Sequence, residues 1–209
     1  MINIKDNFAL VDEEIPNIIL DMRYYSSYNF VGKRINGYED NCAIMSKEAI
    51  KALKKVSDEL LLRGYKLKIF DAYRPQMAVN HFVKWSKDTN DTRMQKYFYP
   101  NIDKKEIIDK EFIVKHSSHS SGSTIDLTLF DIKQNTDLDM GSDFDMFDDI
   151  SYSHTNKITK IQQRNRDLLI NTMTKYGFIN YEKEWWHFTL KNEPFKNIYF
   201  NFKVSRNFA

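Results

Sequence analysis

The chain has 209 residues, of which 42% are hydrophobic and 29% charged, and its formal net charge is +2. That length accommodates a single domain with a real core. The near-even charge balance, with no dense Lys/Arg block, excludes the phosphate-binding stripe of a nucleic-acid-binding protein, and no run approaches the roughly eighteen apolar residues that span a membrane.

The single cysteine, Cys42, rules out an intrachain disulfide and is expected to be a small buried hydrophobe. The first residues carry acids early and lack an apolar stretch of signal-peptide length, so the expected location is cytoplasmic. Residues 1–45 read as irregular, with a short strand at Ile18-Ile19-Leu20. The tyrosine-rich stretch from Tyr24 to Phe30 either covers a pocket or wraps the surface. Ser46 to Arg63 is a helix: Ser46 is a good N-cap, Ala49, Leu53, Val56 and Leu60 recur at helical spacing, and Gly64 stops it. Tyr65 to Phe70 alternates as a strand. Asp71-Ala-Tyr-Arg74-Pro75 follows, with Pro75 suited to the first position of a helix that runs on from Gln76 to Lys87. Arg74 therefore sits at a strand-to-helix junction, where it either serves a site or ties down a carboxylate such as Asp71. His81, on the helix, reads as a packing or surface residue.

Residues 88–114 form a polar helix-and-loop excursion. Lys115 to Phe130 combines His116, His119, a serine run, Gly122 and a β-type segment carrying Asp126. An acidic loop comes next, with aspartates at 137, 139, 143, 145, 148 and 149. Its glycine and glutamate are out of register for a calcium-binding EF-hand loop, which leaves a solvated loop or a receptor for a cationic group. Thr155 to Tyr176 is a second helix lined by Ile158, Ile161, Leu168, Leu169 and Met173. Phe178 to Leu190 is a strand or hairpin arm, and Ile198, Phe200, Phe202 and Val204 alternate as a last strand. The pattern is α+β: one domain over residues 1–209, with a mostly antiparallel central sheet and helices packed alongside.

A catalytic metal site needs three protein ligands and an open place. His119, Asp126 and His187 offer such a set, with His116 and His154 as competitors, and Glu184 is a nearby carboxylate able to move protons. His119 and Asp126 are seven residues apart, so an unbroken strand would place them on opposite faces. Gly122 has to break it. Glu184 and His187 also differ in parity, which calls for a twist or bulge near Trp185-Trp186.

Three motifs, Ser117-Ser-His119-Ser-Ser-Gly122-Ser-Thr-Ile-Asp126, Glu184-Trp-Trp-His187 and Asp71-Ala-Tyr-Arg74-Pro, together resemble the VanX-type D-alanyl-D-alanine dipeptidases. These zinc D,D-peptidases share a hedgehog-like fold. The resemblance implies one zinc on His119, Asp126 and His187, with Glu184 as general base and then acid, and Arg74 stabilising the oxyanion. It also places Ser117, Tyr24 and Asp145 around a small dipeptide, Asp145 receiving the ammonium. The implied activity is hydrolysis of D-Ala-D-Ala, in glycopeptide resistance or in recycling of wall dipeptides. Two other readings stand beside it: a D,D- or L,D-carboxypeptidase or endopeptidase acting on longer peptidoglycan peptides, and a non-catalytic zinc-stabilised binding domain.

Overall fold

The computed structural model describes residues 2–107 and 113–208. In chain order the main elements are β1 (Phe8–Leu10), β2 (Ile19–Leu20), β3 (Ile44–Ser46), α1 (Lys47–Leu62), β4 (Tyr65–Asp71), α2 (Gln76–Lys87), β5 (Thr124–Asp131), β6 (Thr136–Asp137), α3 (Lys160–Lys175), β7 (Phe178–Asn180) and β8 (His187–Leu190). The central sheet runs β2-β4-β5-β8-β7, with β6 also pairing β5. Within this sheet, among the described residues, only the β2–β4 pair is parallel. β1 and β3 form a separate antiparallel ribbon.

β5 is the centre of the sheet. Ile125, Leu127 and Leu129 are fully buried on one face; Leu127 and Leu129 pair with Ile69 and Leu67 of β4, and Ile125 with Phe188 of β8. Asp126 and Thr128 point to the other face, which leaves that side free for chemistry. α1 forms where the sequence places it: the Ser46 hydroxyl accepts from the Ala49 amide, and Ala49, Leu53, Val56 and Leu60 are all buried. α1 and α3 pack on each other and on the sheet. Among the described residues no helix is long and apolar enough to cross a membrane. Cys42 is buried and free, its thiol pushed up to about 12 by burial.

Five details depart from the sequence reading. Residues 1–45, read as irregular apart from one short strand, also hold β1, the start of β3 and single helical turns at Ile4–Asn7 and Val11–Glu14, because Phe8, Leu10 and Val11 are buried in the core. α3 begins at Lys160 rather than near Thr155, because Thr159 and Gln162 close a reciprocal capping box there. Ile161 consequently faces solvent, and the buried stripe is Arg166, Leu169, Thr172 and Met173. Pro75 is the N-cap of α2, one residue ahead of its first turn. Residues 198–204 do not form a strand; their one ladder contact is a bridge between Val204 and Tyr38. The alternation there serves aromatic packing instead, with Phe200 and Phe202 set edge-on against Phe8. Within the 88–114 excursion only short turns of helix form, at Gln95–Phe98 and Lys104–Glu106, and residues 108–112 lie outside the described part.

The expected break between His119 and Asp126 is present. Ser118–Ser121 is one turn of 3-10 helix, and Gly122 closes it at φ +84°. A Cβ at Gly122 would also sit 2.1 Å from the Phe8 ring. Gly122→Ala is therefore expected to lower stability by roughly 2–4 kcal/mol, from backbone strain plus overpacking, read as the shift in a chemical-denaturation midpoint.

Candidate metal centre and active site

Two strands and one turn bring the three ligand candidates together. Asp126 on β5 and His187, the first residue of β8, are direct cross-strand partners. Next to Asp126 on the other side, β4 carries a bulge at Phe70, which shifts the register so that Asp71 lies opposite Asp126. The 3-10 turn then projects His119 over the same spot. The Ser117 hydroxyl caps that turn by accepting from the His119 amide.

His119 Nε2 lies 3.2 Å from Asp126 Oδ2 and 3.2 Å from His187 Nδ1, and His187 Nδ1 lies 3.1 Å from Asp126 Oδ1. Metal–ligand bonds of about 2.0–2.2 Å at tetrahedral angles place donor atoms roughly 3.4 Å apart, so the spacing suits a shared ion. The outer nitrogens agree. His119 Nδ1 is 2.6 Å from the Ala72 carbonyl, which can only accept, so the proton sits on Nδ1 and Nε2 presents its lone pair inward. His187 Nε2 faces Ser118 Oγ at 3.2 Å, leaving Nδ1 for the centre. Asp126 Oδ1 is buried with no hydrogen bond of good geometry, an orphaned acceptor aimed at the same point. Among the described residues this is the one His/Cys/Asp/Glu group positioned to hold a metal ion. His116 stacks on Tyr199, His154 is exposed beside Gln163, and His81 accepts from the Asn36 amide.

Because Ser118 fixes the orientation of His187, Ser118→Ala is expected to weaken metal affinity about tenfold. Competition against a chromogenic chelator reads that loss directly.

The groups around the centre form one electrostatic unit. Arg74 donates through Nε to Asp71 Oδ2 at 2.8 Å and reaches Asp126 Oδ2 at 3.4 Å through its outer nitrogen. Its guanidinium lies over the rings of Tyr24 and Phe82. Burial works against the Arg74 charge, but facing Tyr24, Asp71 and Asp126 outweigh it and hold the group protonated. Asp71 is fully buried and is held from its other oxygen by the Tyr38 hydroxyl at 2.6 Å. Glu184 lies in the turn between β7 and β8, with Oε2 3.4 Å from His187 Nδ1 and its side chain 28% exposed. Burial pushes its carboxyl up, and His187 offsets part of that. Asp145 is buried at φ +62° and accepts from the Tyr24 hydroxyl at 2.8 Å. Burial pushes Asp145 well above the usual carboxylate range, Asp126 adds to this, and Arg74 and Tyr24 act against it.

All eight residues singled out from sequence (Tyr24, Arg74, Ser117, His119, Asp126, Asp145, Glu184 and His187) line a single cavity of about 220 Å³. Phe30, Val79, Phe82 and Phe147 supply its apolar wall. α2, which carries Val79 and Phe82, therefore covers the Asp126 face of the sheet.

The family described as D-ala-D-ala dipeptidase matches residues 5–205. The chain belongs to that family. It is 38% identical over 201 residues to a D-alanyl-D-alanine dipeptidase of Enterococcus faecalis, covering 96% of this chain and 100% of the relative. A D-alanyl-D-alanine dipeptidase of Enterococcus faecium is 38% identical over 197 residues, 94% of this chain and 98% of the relative. One from Streptomyces coelicolor is 36% identical over 199 residues, 95% of this chain and 98% of the relative. The chain is accordingly an enzyme of a metallopeptidase family, and its His-Asp-His group is the place where the fold can hold the metal.

The dipeptidase site also contains parts that the sequence did not single out. Ser118, the Ala72 carbonyl and Tyr38 orient His187, His119 and Asp71, and Tyr181 joins the cavity lining. Asp71 was visible beside Arg74 in its motif. Tyr38 lies 33 residues from Asp71 in an irregular stretch, and no local pattern marks it.

Proposed function

We propose that this enzyme hydrolyses the free dipeptide D-Ala-D-Ala, with one zinc ion held by His119, Asp126 and His187. The observation that carries the reading is the placement of a metal-ligand triad, an adjacent carboxylate and a buried carboxyl opposite them in one small cavity. Two histidines and a carboxylate form an oxygen- and nitrogen-donor set suited to zinc with one place left open. When bound, the ion supplies Lewis acidity and makes water a competent nucleophile near neutral pH.

The protein's own groups do the rest. Glu184 takes the proton from water as its oxygen adds to the peptide carbonyl carbon. It then delivers that proton to the leaving nitrogen as the C–N bond breaks, giving two molecules of alanine. Arg74, fixed by Asp71, stabilises the negative charge that develops on the carbonyl oxygen. Asp145 and Tyr24 receive the substrate ammonium; a carboxyl whose charge burial has disfavoured gains most from a cation brought beside it. Ser117 accepts from the His119 amide, so its own hydroxyl proton is free to donate to the dipeptide. Cavities for drug-sized ligands run to about 300–1,000 Å³, and the 220 Å³ here suits a dipeptide better than a long peptide. A free buried thiol suits a reducing compartment, and we place the enzyme in the cytoplasm.

The test is a panel: zinc-loaded protein with D-Ala-D-Ala, its N-acetyl and C-amide derivatives, and a pentapeptide ending in D-Ala-D-Ala. Cleavage of the free dipeptide alone supports the reading, and cleavage of the pentapeptide points to a carboxypeptidase. Asp145→Asn is expected to raise KM for the dipeptide about tenfold to a hundredfold, measured by initial rates.

A further inference from the structure

Arg166 stands out as a buried cation with no ion pair among the described residues. It sits mid-way along α3, on the face that otherwise buries Leu169 and Met173, and it is fully shielded from solvent. An unpaired buried charge is costly unless its hydrogen bonds are satisfied. Here main-chain carbonyls satisfy it. Nε donates to the Met140 carbonyl at 2.6 Å, one terminal nitrogen to Tyr152 at 2.5 Å, and the other to Ile150 at 2.9 Å. Burial lowers its pKa to about 10, which leaves it charged at neutral pH.

All three carbonyls lie at the two ends of the segment that carries Asp145, and the Ser142 hydroxyl in the same segment is a fourth, longer acceptor at 3.5 Å. The same segment is tied on its other side to the Glu184 turn. The Trp185 indole donates to the Ser142 hydroxyl at 2.9 Å, the Trp185 amide donates to the Ser151 carbonyl, and the Ser153 amide to the Glu182 carbonyl. The Arg166 guanidinium also lies over the Trp185 ring at 5.8 Å. Within the segment Phe144 packs on Phe70 and Trp186, and Asp145 takes up a left-handed backbone conformation. A non-glycine residue persists there only when its surroundings over-determine it. A planar fork of five donors can gather carbonyls from both ends of a loop; a lysine ammonium cannot reach them in the same plane.

We propose that Arg166 is the positioning residue that fixes the Asp145 segment against the Glu184 turn, and so sets the separation between the ammonium receptor and the reacting carbonyl. This rests on the assignment of Asp145 to the substrate ammonium. Arg166 does not touch substrate; its effect reaches the reaction through Asp145.

The experiment compares wild type, Arg166→Lys, Ser142→Ala and Asp145→Asn, all zinc-loaded, for kcat and KM on D-Ala-D-Ala. Zinc affinity and unfolding midpoint are measured alongside. Ser142→Ala loosens the same tether where the Trp185 indole and the outer Arg166 nitrogen meet the segment, and leaves the helix intact. The expected result is a KM raised about tenfold in Arg166→Lys and in the same direction in Ser142→Ala, with the larger share of the loss in KM and zinc affinity unchanged. If Asp145→Asn raises KM while both tether variants keep the wild-type value, the role of Arg166 is wrong and that of Asp145 stands. If Asp145→Asn itself leaves KM unchanged, the ammonium assignment fails and takes this proposal with it. Parallel loss of zinc affinity in the tether variants would show a general structural role and overturn the proposal.

Discussion

Glu184→Gln lowers kcat on D-Ala-D-Ala by about 100- to 10,000-fold, while zinc affinity stays near the wild-type value. Glutamine keeps the size and shape of the side chain but cannot accept a proton from water. The geometry separates the two readouts. Glu184 is not one of the three residues whose donor atoms converge; its nearer oxygen only approaches His187 Nδ1, at 3.4 Å, from the side. It lies in a turn and lines the cavity with its side chain 28% exposed, the place that the proposed proton transfer requires. Burial raises its pKa from the ordinary glutamate value, and the neighbouring His187 acts against that rise. Steady-state rates with matched zinc occupancy check the prediction. A variant that keeps wild-type kcat would remove Glu184 from the chemistry.

The second large effect is expected at Arg74. Arg74→Ala should cost about 100- to 1,000-fold in kcat, the usual range for losing one preorganised donor to a developing oxyanion. The side chain is locked before substrate arrives. Asp71 holds Nε, Tyr38 holds Asp71, and the aromatic faces of Tyr24 and Phe82 flank the guanidinium. Such fixation means that little reorganisation is needed as charge builds on the carbonyl oxygen. Removing Arg74 also leaves Asp71 buried without its cation, so the unfolding midpoint should fall as well. Added guanidinium distinguishes the two consequences: partial rescue of kcat in the folded, zinc-loaded variant supports a role in the reaction, and a kcat close to wild type without any addition would refute it.

Much of this arrangement was legible in the chain because the determinants are local. The Ser46 cap and the Ala49–Leu60 stripe specify α1, and the strict alternation from Ile125 to Phe130 specifies β5. Gly122 had to interrupt the path from His119 to Asp126, and its left-handed φ and contact with Phe8 show why no other residue fits. The parity conflict between Glu184 and His187 correctly signalled irregular backbone, although the solution is a turn from Tyr181 into β8 rather than a bulge inside a strand. The bulge lies in β4 at Phe70, where nothing in the local sequence demands it; it exists to bring Asp71 opposite Asp126.

What stayed hidden depends on packing between distant segments. The alternation from Ile198 to Val204 resembles a strand, yet Phe200 and Phe202 are used to enclose Phe8 and Tyr73. Composition left the acidic loop as either solvated or a receptor for a cationic group; Met140, Phe144 and Phe147, whose inward packing composition does not reveal, carry Asp145 into the cavity. Nothing in the local sequence marks Arg166, and only the tertiary fold shows the carbonyls around it.

The proposed chemistry needs a single metal at His119, Asp126 and His187. The most direct measurement strips the protein with a chelator, then titrates zinc back while following alanine release from D-Ala-D-Ala. The expected result is no turnover without metal and a linear rise that ends at one zinc per chain. Full activity in the stripped protein, or no turnover at any zinc ratio in a folded chain, would contradict it.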